Sequence, residues 1–215
     1  MNALTVLAAL SGVVSIVAFQ TGPWLLAAVT KALTTLLIIA YAARRSDGGA
    51  YARAILAGLV ASLAGDVFLL WPQQGFLPGL VSFLVAHLAY LYAFSGGLKR
   101  GFALAPTIGY LIFAGVALAF LWSSVPGALR APVVVYVAAL VAMAAMAASR
   151  ALRSTPEAAG LARIAAIGAG LFVMSDTMLA FNKFVGPIAF ANIFTLATYW
   201  LAQWAIASSV RPPAR

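Results

Sequence analysis

The chain has 215 residues, 65 % of them hydrophobic and only 8 % charged, with a net charge of +9 and a mean hydropathy of +1.05. Soluble domains carry about 25 % charged residues, and most helical stretches here are apolar all round, so a water-soluble bundle is excluded and lipid must be the solvent for these faces. No cysteine is present, which rules out disulfides and thiolate catalysis.

Apolar runs between breakers predict an all-α polytopic membrane bundle of about eight transmembrane helices in a single transmembrane domain. The spans are 2–20, 23–43, 52–70, 76–97, 104–122, 131–149, 163–182 and 189–209. The first has no basic segment before it and is longer than the apolar core of a signal peptide, so it reads as a span. Glycine and proline punctuate the connections, as at Gly22 and Pro23, Gly48 and Gly49, Pro126 and Gly127, and Gly186 and Pro187.

Basic residues alternate from loop to loop. Arg44, Arg45 and Arg53 follow span 2, Lys99 and Arg100 follow span 4, Arg150, Arg153 and Arg163 follow span 6, and Arg211 and Arg215 lie in the tail. Only Arg130 and Lys183 fall on the opposite side. This bias predicts an even number of spans with both termini in the cytoplasm. It explains the positive charge as a topology device with affinity for anionic lipid heads, so no nucleic-acid partner is expected. The Ala- and Arg-rich composition points to a bacterial inner membrane.

Four ionisable residues lie inside apolar spans: Lys31, Asp66, His87 and Asp176. A charge at the bilayer centre costs at least about 2.5–3.5 kcal/mol, so such groups face the bundle interior and mark function by default. Counted from the outer end of each span at ~1.5 Å per residue, Asp66 is ~6 Å deep, Asp176 ~9 Å, Lys31 ~12 Å and His87 ~16 Å. Ser62 lies one turn from Asp66 on the same face, Tyr90 continues the face of His87, and Tyr199 stacks with Gln203. A single polar cavity among spans 2, 3, 4, 7 and 8 accommodates all of these. Lys31 could instead snorkel to the surface or pair with an aspartate for structure alone, and Tyr90, Tyr199 and Gln203 could be ordinary inter-helix contacts. The tryptophans fit an interfacial belt or packing. Gly58 precedes Asp66 by the same interval of eight residues that separates Gly168 from Asp176, which fits a parallel four-plus-four repeat.

Two carboxyls in one water-poor pocket can hold one proton between them, the arrangement that general acid–base hydrolysis needs. A proton- or solute-coupled transporter would need similar parts. One histidine and no cysteine leave the usual zinc ligand sets unfilled, and no nucleotide-binding loop appears, so no metal or cofactor is expected.

At these same residues the chain resembles the YhhN family of membrane lysoplasmalogenases. The matching stretches run from Ser62 to Asp66, from Gly79 through His87 to Tyr90, from Gly168 to Phe172 with Ser175 and Asp176, and then Tyr199 with Gln203. The resemblance covers most of the chain. It implies an eight-span fold and hydrolysis of the vinyl ether bond of lysoplasmalogens, giving a fatty aldehyde and glycerophospho-ethanolamine or glycerophospho-choline. It implies Asp66 and Asp176 as the catalytic pair. The mechanism expected here adds Lys31 pairing the phosphate and Ser62, His87, Tyr90, Ser175, Tyr199 and Gln203 contacting substrate. The family pattern has Lys-Pro in span 2 where this chain has Lys31 and Ala32.

Overall fold

The structure, a computed structural model, describes residues 2–97 and 101–211. Lys99, Arg100 and Arg215 of the basic set lie outside the described residues. Eight helices follow in order: α1 (Ala3–Thr21), α2 (Trp24–Arg45), α3 (Ala50–Phe68), α4 (Phe76–Phe94), α5 (Leu104–Leu121), α6 (Gly127–Leu152), α7 (Pro156–Phe184) and α8 (Ala191–Ser208). No strand occurs among the described residues. The helices coincide with the predicted spans except that α6 and α7 are longer, because apolarity measures the hydrocarbon slab and not the helix. Thr155 and Pro156 start α7 in the polar region, and its first turns carry Glu157 and Arg163.

Among the described residues, seven helices are long and apolar enough to cross a membrane. The exception, α8, carries Asn192, Thr195, Thr198 and Gln203, of which Gln203 is buried where α1, α2, α3 and α7 pack against the helix. The protein is therefore a multi-pass membrane protein.

The face that α1 turns inward is the reverse of a soluble helix's. On α1 the buried positions are Ala8, Ser11, Gly12, Ser15 and Ala18, while Leu7, Leu10, Val13, Val14 and Val17 face outward. Lipid is as apolar as leucine, so helices associate through small residues and short hydrogen bonds. The hydroxyls of Ser11 and Ser15 donate to the carbonyls of Thr30 and Ala27 on α2, each at 3.0 Å. Where α4 closes on α3, a Cβ on Gly58 would stand 2.3 Å from the Tyr90 ring; where α8 closes on α7, one on Gly168 would stand 2.9 Å from the Ala202 carbonyl. Gly58 and Gly168 thus each admit the helix that follows.

The helices alternate in direction, which gathers the described basic residues of the larger set at one end. Arg45 donates to the carbonyls of Ser208 and Val210 at 3.3 and 3.2 Å, and Arg150 lies 4.3 Å over the Tyr51 ring. At the other end Lys183 donates to the Pro72 carbonyl at 3.1 Å, and Trp24 stands 6.0 Å from Trp71. Trp24, Trp71 and Trp122 are exposed there, as a belt requires, whereas Trp200 is buried between helices.

Candidate active site

Helical side chains lean toward the N-terminus of their helix. Lys31 on α2 and His87 on α4 start from the end nearer the tryptophan belt and lean toward it. Asp66 on α3 and Asp176 on α7 run the other way and lean inward. The four therefore converge, and the depth differences read from the spans close up.

Asp66 is 2 % exposed and held on several sides. Its Oδ2 accepts from the hydroxyls of Thr35 and Tyr199, each at 2.7 Å, and Lys31 Nζ lies 3.5 Å from Oδ1. The same ammonium donates to the backbone carbonyl of Asp66 at 3.1 Å. That carbonyl belongs to the last turn of α3, where intrahelical donors run out. Leu69, Leu70 and Trp71 amides satisfy the carbonyls of Gly65, Val67 and Phe68, and Lys31 serves the one between. A cation at a helix C-terminus also suits the helix dipole. Lys31 is therefore interior and paired, not snorkelling.

Asp176 is built differently. Its side chain is 10 % exposed, and its Oδ2 accepts from the Tyr136 hydroxyl of α6. His87 Nε2 lies 3.3 Å from that oxygen and 3.0 Å from the tyrosine oxygen. His87 Nδ1 is buried without a partner. An orphaned acceptor is cheaper to bury than an orphaned N–H, which favours the tautomer with its hydrogen on Nε2, donating toward Asp176. Phe172 packs edge-on against the imidazole at 4.8 Å and fixes its plane.

Both acids line one cavity of about 540 Å³. Lys31, Ser175 and Tyr199 line it too, and toward the belt end its wall includes Trp24, Asn182, Lys183 and Asn192. No hydrogen bond joins the two carboxyls among the described residues; each has its own partners. On the far side of Phe76, Phe83 and Leu69 lies an apolar slot among α4, α5, α6 and α7, and Asp176 also lines that slot. Asp66 does not.

Ser62, His87, Tyr90 and Gln203 are fully buried and lie behind the cavity wall. Tyr90 donates to Gln203 Oε1 at 2.7 Å, and neither side chain meets the acids by a hydrogen bond. Ser175 donates to the Thr195 carbonyl of α8 at 3.0 Å. Two residues beside the acids escape a reading of the sequence. Thr35 stands one turn after Lys31 on the same face, a spacing that signals it. Tyr136 interrupts an otherwise apolar run in α6, a weaker signal.

The YhhN family model matches residues 26–210. The chain is 34 % identical over 186 residues to the pig protein named lysoplasmalogenase TMEM86B, covering 85 % of this chain and 74 % of that one. It is 37 % identical over 156 residues to bovine lysoplasmalogenase TMEM86A, 72 % of this chain and 64 % of the relative. It is 26 % identical over 201 residues to the membrane protein YhhN of Escherichia coli O157:H7, 94 % and 95 % of the two chains. No solved structure matches it. A match of this extent, over helices that bring the intramembrane acids to one cavity, means that the chain belongs to the YhhN family.

Proposed function

We propose that this protein is a lysoplasmalogenase, hydrolysing the vinyl ether bond of lysoplasmalogens to a fatty aldehyde and a glycerophospho-ethanolamine or glycerophospho-choline. The observation that carries the reading is that two intramembrane carboxyls from α3 and α7 line one cavity, in a chain similar to proteins named lysoplasmalogenase.

The chemistry follows from the bond. A vinyl ether is protonated at the carbon remote from oxygen, which leaves an oxocarbenium ion. Water adds to the cationic carbon and loses a proton, and the hemiacetal collapses to aldehyde and alcohol. One carboxyl delivers the first proton; the other stabilises the cation and accepts the proton from water. Tyr199 and Ser175 border the space where glycerol and water would sit. Lys31 is engaged by the Asp66 carboxylate, so Lys183, which lines the same cavity and has no acidic partner among the described residues, is the better placed cation for the phosphate. His87 acts on Asp176, and Ser62, Tyr90 and Gln203 support the wall rather than touch substrate. The basic end faces the cytoplasm of a bacterial cell and the membrane is its inner one, as the distribution of arginines suggests.

Aldehyde release by purified protein in detergent, from a panel of lysolipids, tests the reading. Asp66→Asn and Asp176→Asn should each abolish release while the protein still folds. Full activity in both single variants would remove the assignment. A transporter would show no aldehyde in detergent and would need sealed vesicles for any activity.

A further inference from the structure

An amphiphile has a polar part, an apolar chain and a junction between them. The interior of this protein has the same three parts. The polar cavity holds the lysines and asparagines; the slot beyond Phe76 and Phe83 is walled by aliphatic side chains such as Leu80, Leu118, Val137 and Leu140. Asp176 is the one carboxyl that borders both compartments, and it stands at their junction. In a lysoplasmalogen the vinyl ether is the junction of glycerol and chain.

We infer that the slot among α4, α5, α6 and α7 is the binding site for the alkenyl chain of the substrate, which sets the vinyl ether against Asp176 and makes Asp176 the proton donor to carbon. The inference rests on the proposed hydrolysis. It is supported by how the slot is closed. Of the residues of α5, only Ala114 and Leu121 are buried, the sparsest burial of the eight helices. Its seam with α7 is lined by Gly109 and Gly170, and this cleft shares Phe113 and Val173 with the slot. A glycine on each flank keeps this cleft open on the outer surface of the bundle, the side on which a lysolipid in the bilayer would lie. Asp66, outside the slot and tied to Lys31, Thr35 and Tyr199, is left to face the cation and the water from the polar side.

Chain-length preference is the test, because filling a slot should exclude methylenes without touching the acids. Ala117 and Ala180 line it from α5 and α7. Ala117→Phe and Ala180→Leu are compared with wild type for aldehyde release from two lysoplasmalogens of one headgroup, a long-chain and a short-chain one. Release from the long chain should fall by about tenfold or more relative to the short, as expected where two or three methylenes lose their burial. An unchanged ratio, or equal loss on both lipids, overturns the inference and leaves the slot to an ordinary membrane acyl chain. A second measurement needs no variant. A lysoplasmalogen carrying a photoreactive group at the end of its chain should label wild type within 113–141 or at Leu80, Ala180 or Phe184, and labelling only elsewhere overturns the inference. If wild type releases aldehyde from neither lipid, the proposed hydrolysis itself fails; activity with an unshifted ratio sinks the slot alone.

Discussion

Asp66 and Asp176 occupy matching places, each eight residues after a glycine that admits the next helix, yet they live in different surroundings. Around Asp66 the partners are fixed donors: a lysine, a threonine and a tyrosine. Around Asp176 they are a tyrosine and a histidine that also contact each other. One acid is pinned as an acceptor within a network that also closes the end of α3. The other sits more openly, between a polar and an apolar compartment. A common backbone position therefore does not imply a common task. The partners supplied by other helices divide the labour.

The largest expected effect breaks the pair apart in activity and stability together. Asp176→Asn should lower kcat for aldehyde release by about a thousandfold and leave the thermal unfolding midpoint in detergent nearly unmoved. Asp66→Asn should lose comparable activity and also lower the midpoint, because the Lys31 ammonium is left buried without its anion, at a cost of about 3 kcal/mol. Equal midpoints for the two variants would erase the distinction.

Next in size, Lys31→Met should destabilise the fold by a similar amount of about 3 kcal/mol, since it strands both the carboxylate and the Asp66 carbonyl. Adding Asp66→Asn to Lys31→Met should restore much of the midpoint and none of the activity; a double variant no more stable than the singles would argue against a pair. Tyr136→Phe removes one hydrogen bond to Asp176 and should reduce kcat by about tenfold, the scale of one charge-assisted bond, with KM changed far less. The smallest effect is Thr35→Ala, which should lower stability by about 1 kcal/mol and barely alter the ratio of long-chain to short-chain turnover.

Much of this was legible in the chain before any coordinates. Hydropathy marked the helices, because a span must satisfy its own backbone in lipid and so must be a long apolar helix. The alternation of arginines separated the two ends. Four ionisable residues stood out because their cost in hydrocarbon admits few alternatives to a shared interior. α8 was found although its hydropathy is diluted by Asn192, Thr195 and Gln203; Gln203 is buried between helices, while Asn192 and Thr195 line the cavity.

Helical periodicity says which face a residue occupies but not which helix lies opposite. That α6 comes between α4 and α7, and so brings Tyr136 to Asp176, depends on close approaches at glycines and alanines distant in sequence. The same packing ties Lys31 to Asp66 rather than Asp176, places Tyr90 and Gln203 behind the wall, and leaves α5 loosely held beside an apolar slot. Composition and spacing determined how many helices there are, what solvent surrounds them and which side chains must hide. Only the tertiary structure decided their partners, because partner choice is a matter of packing between surfaces that lipid itself does nothing to tell apart.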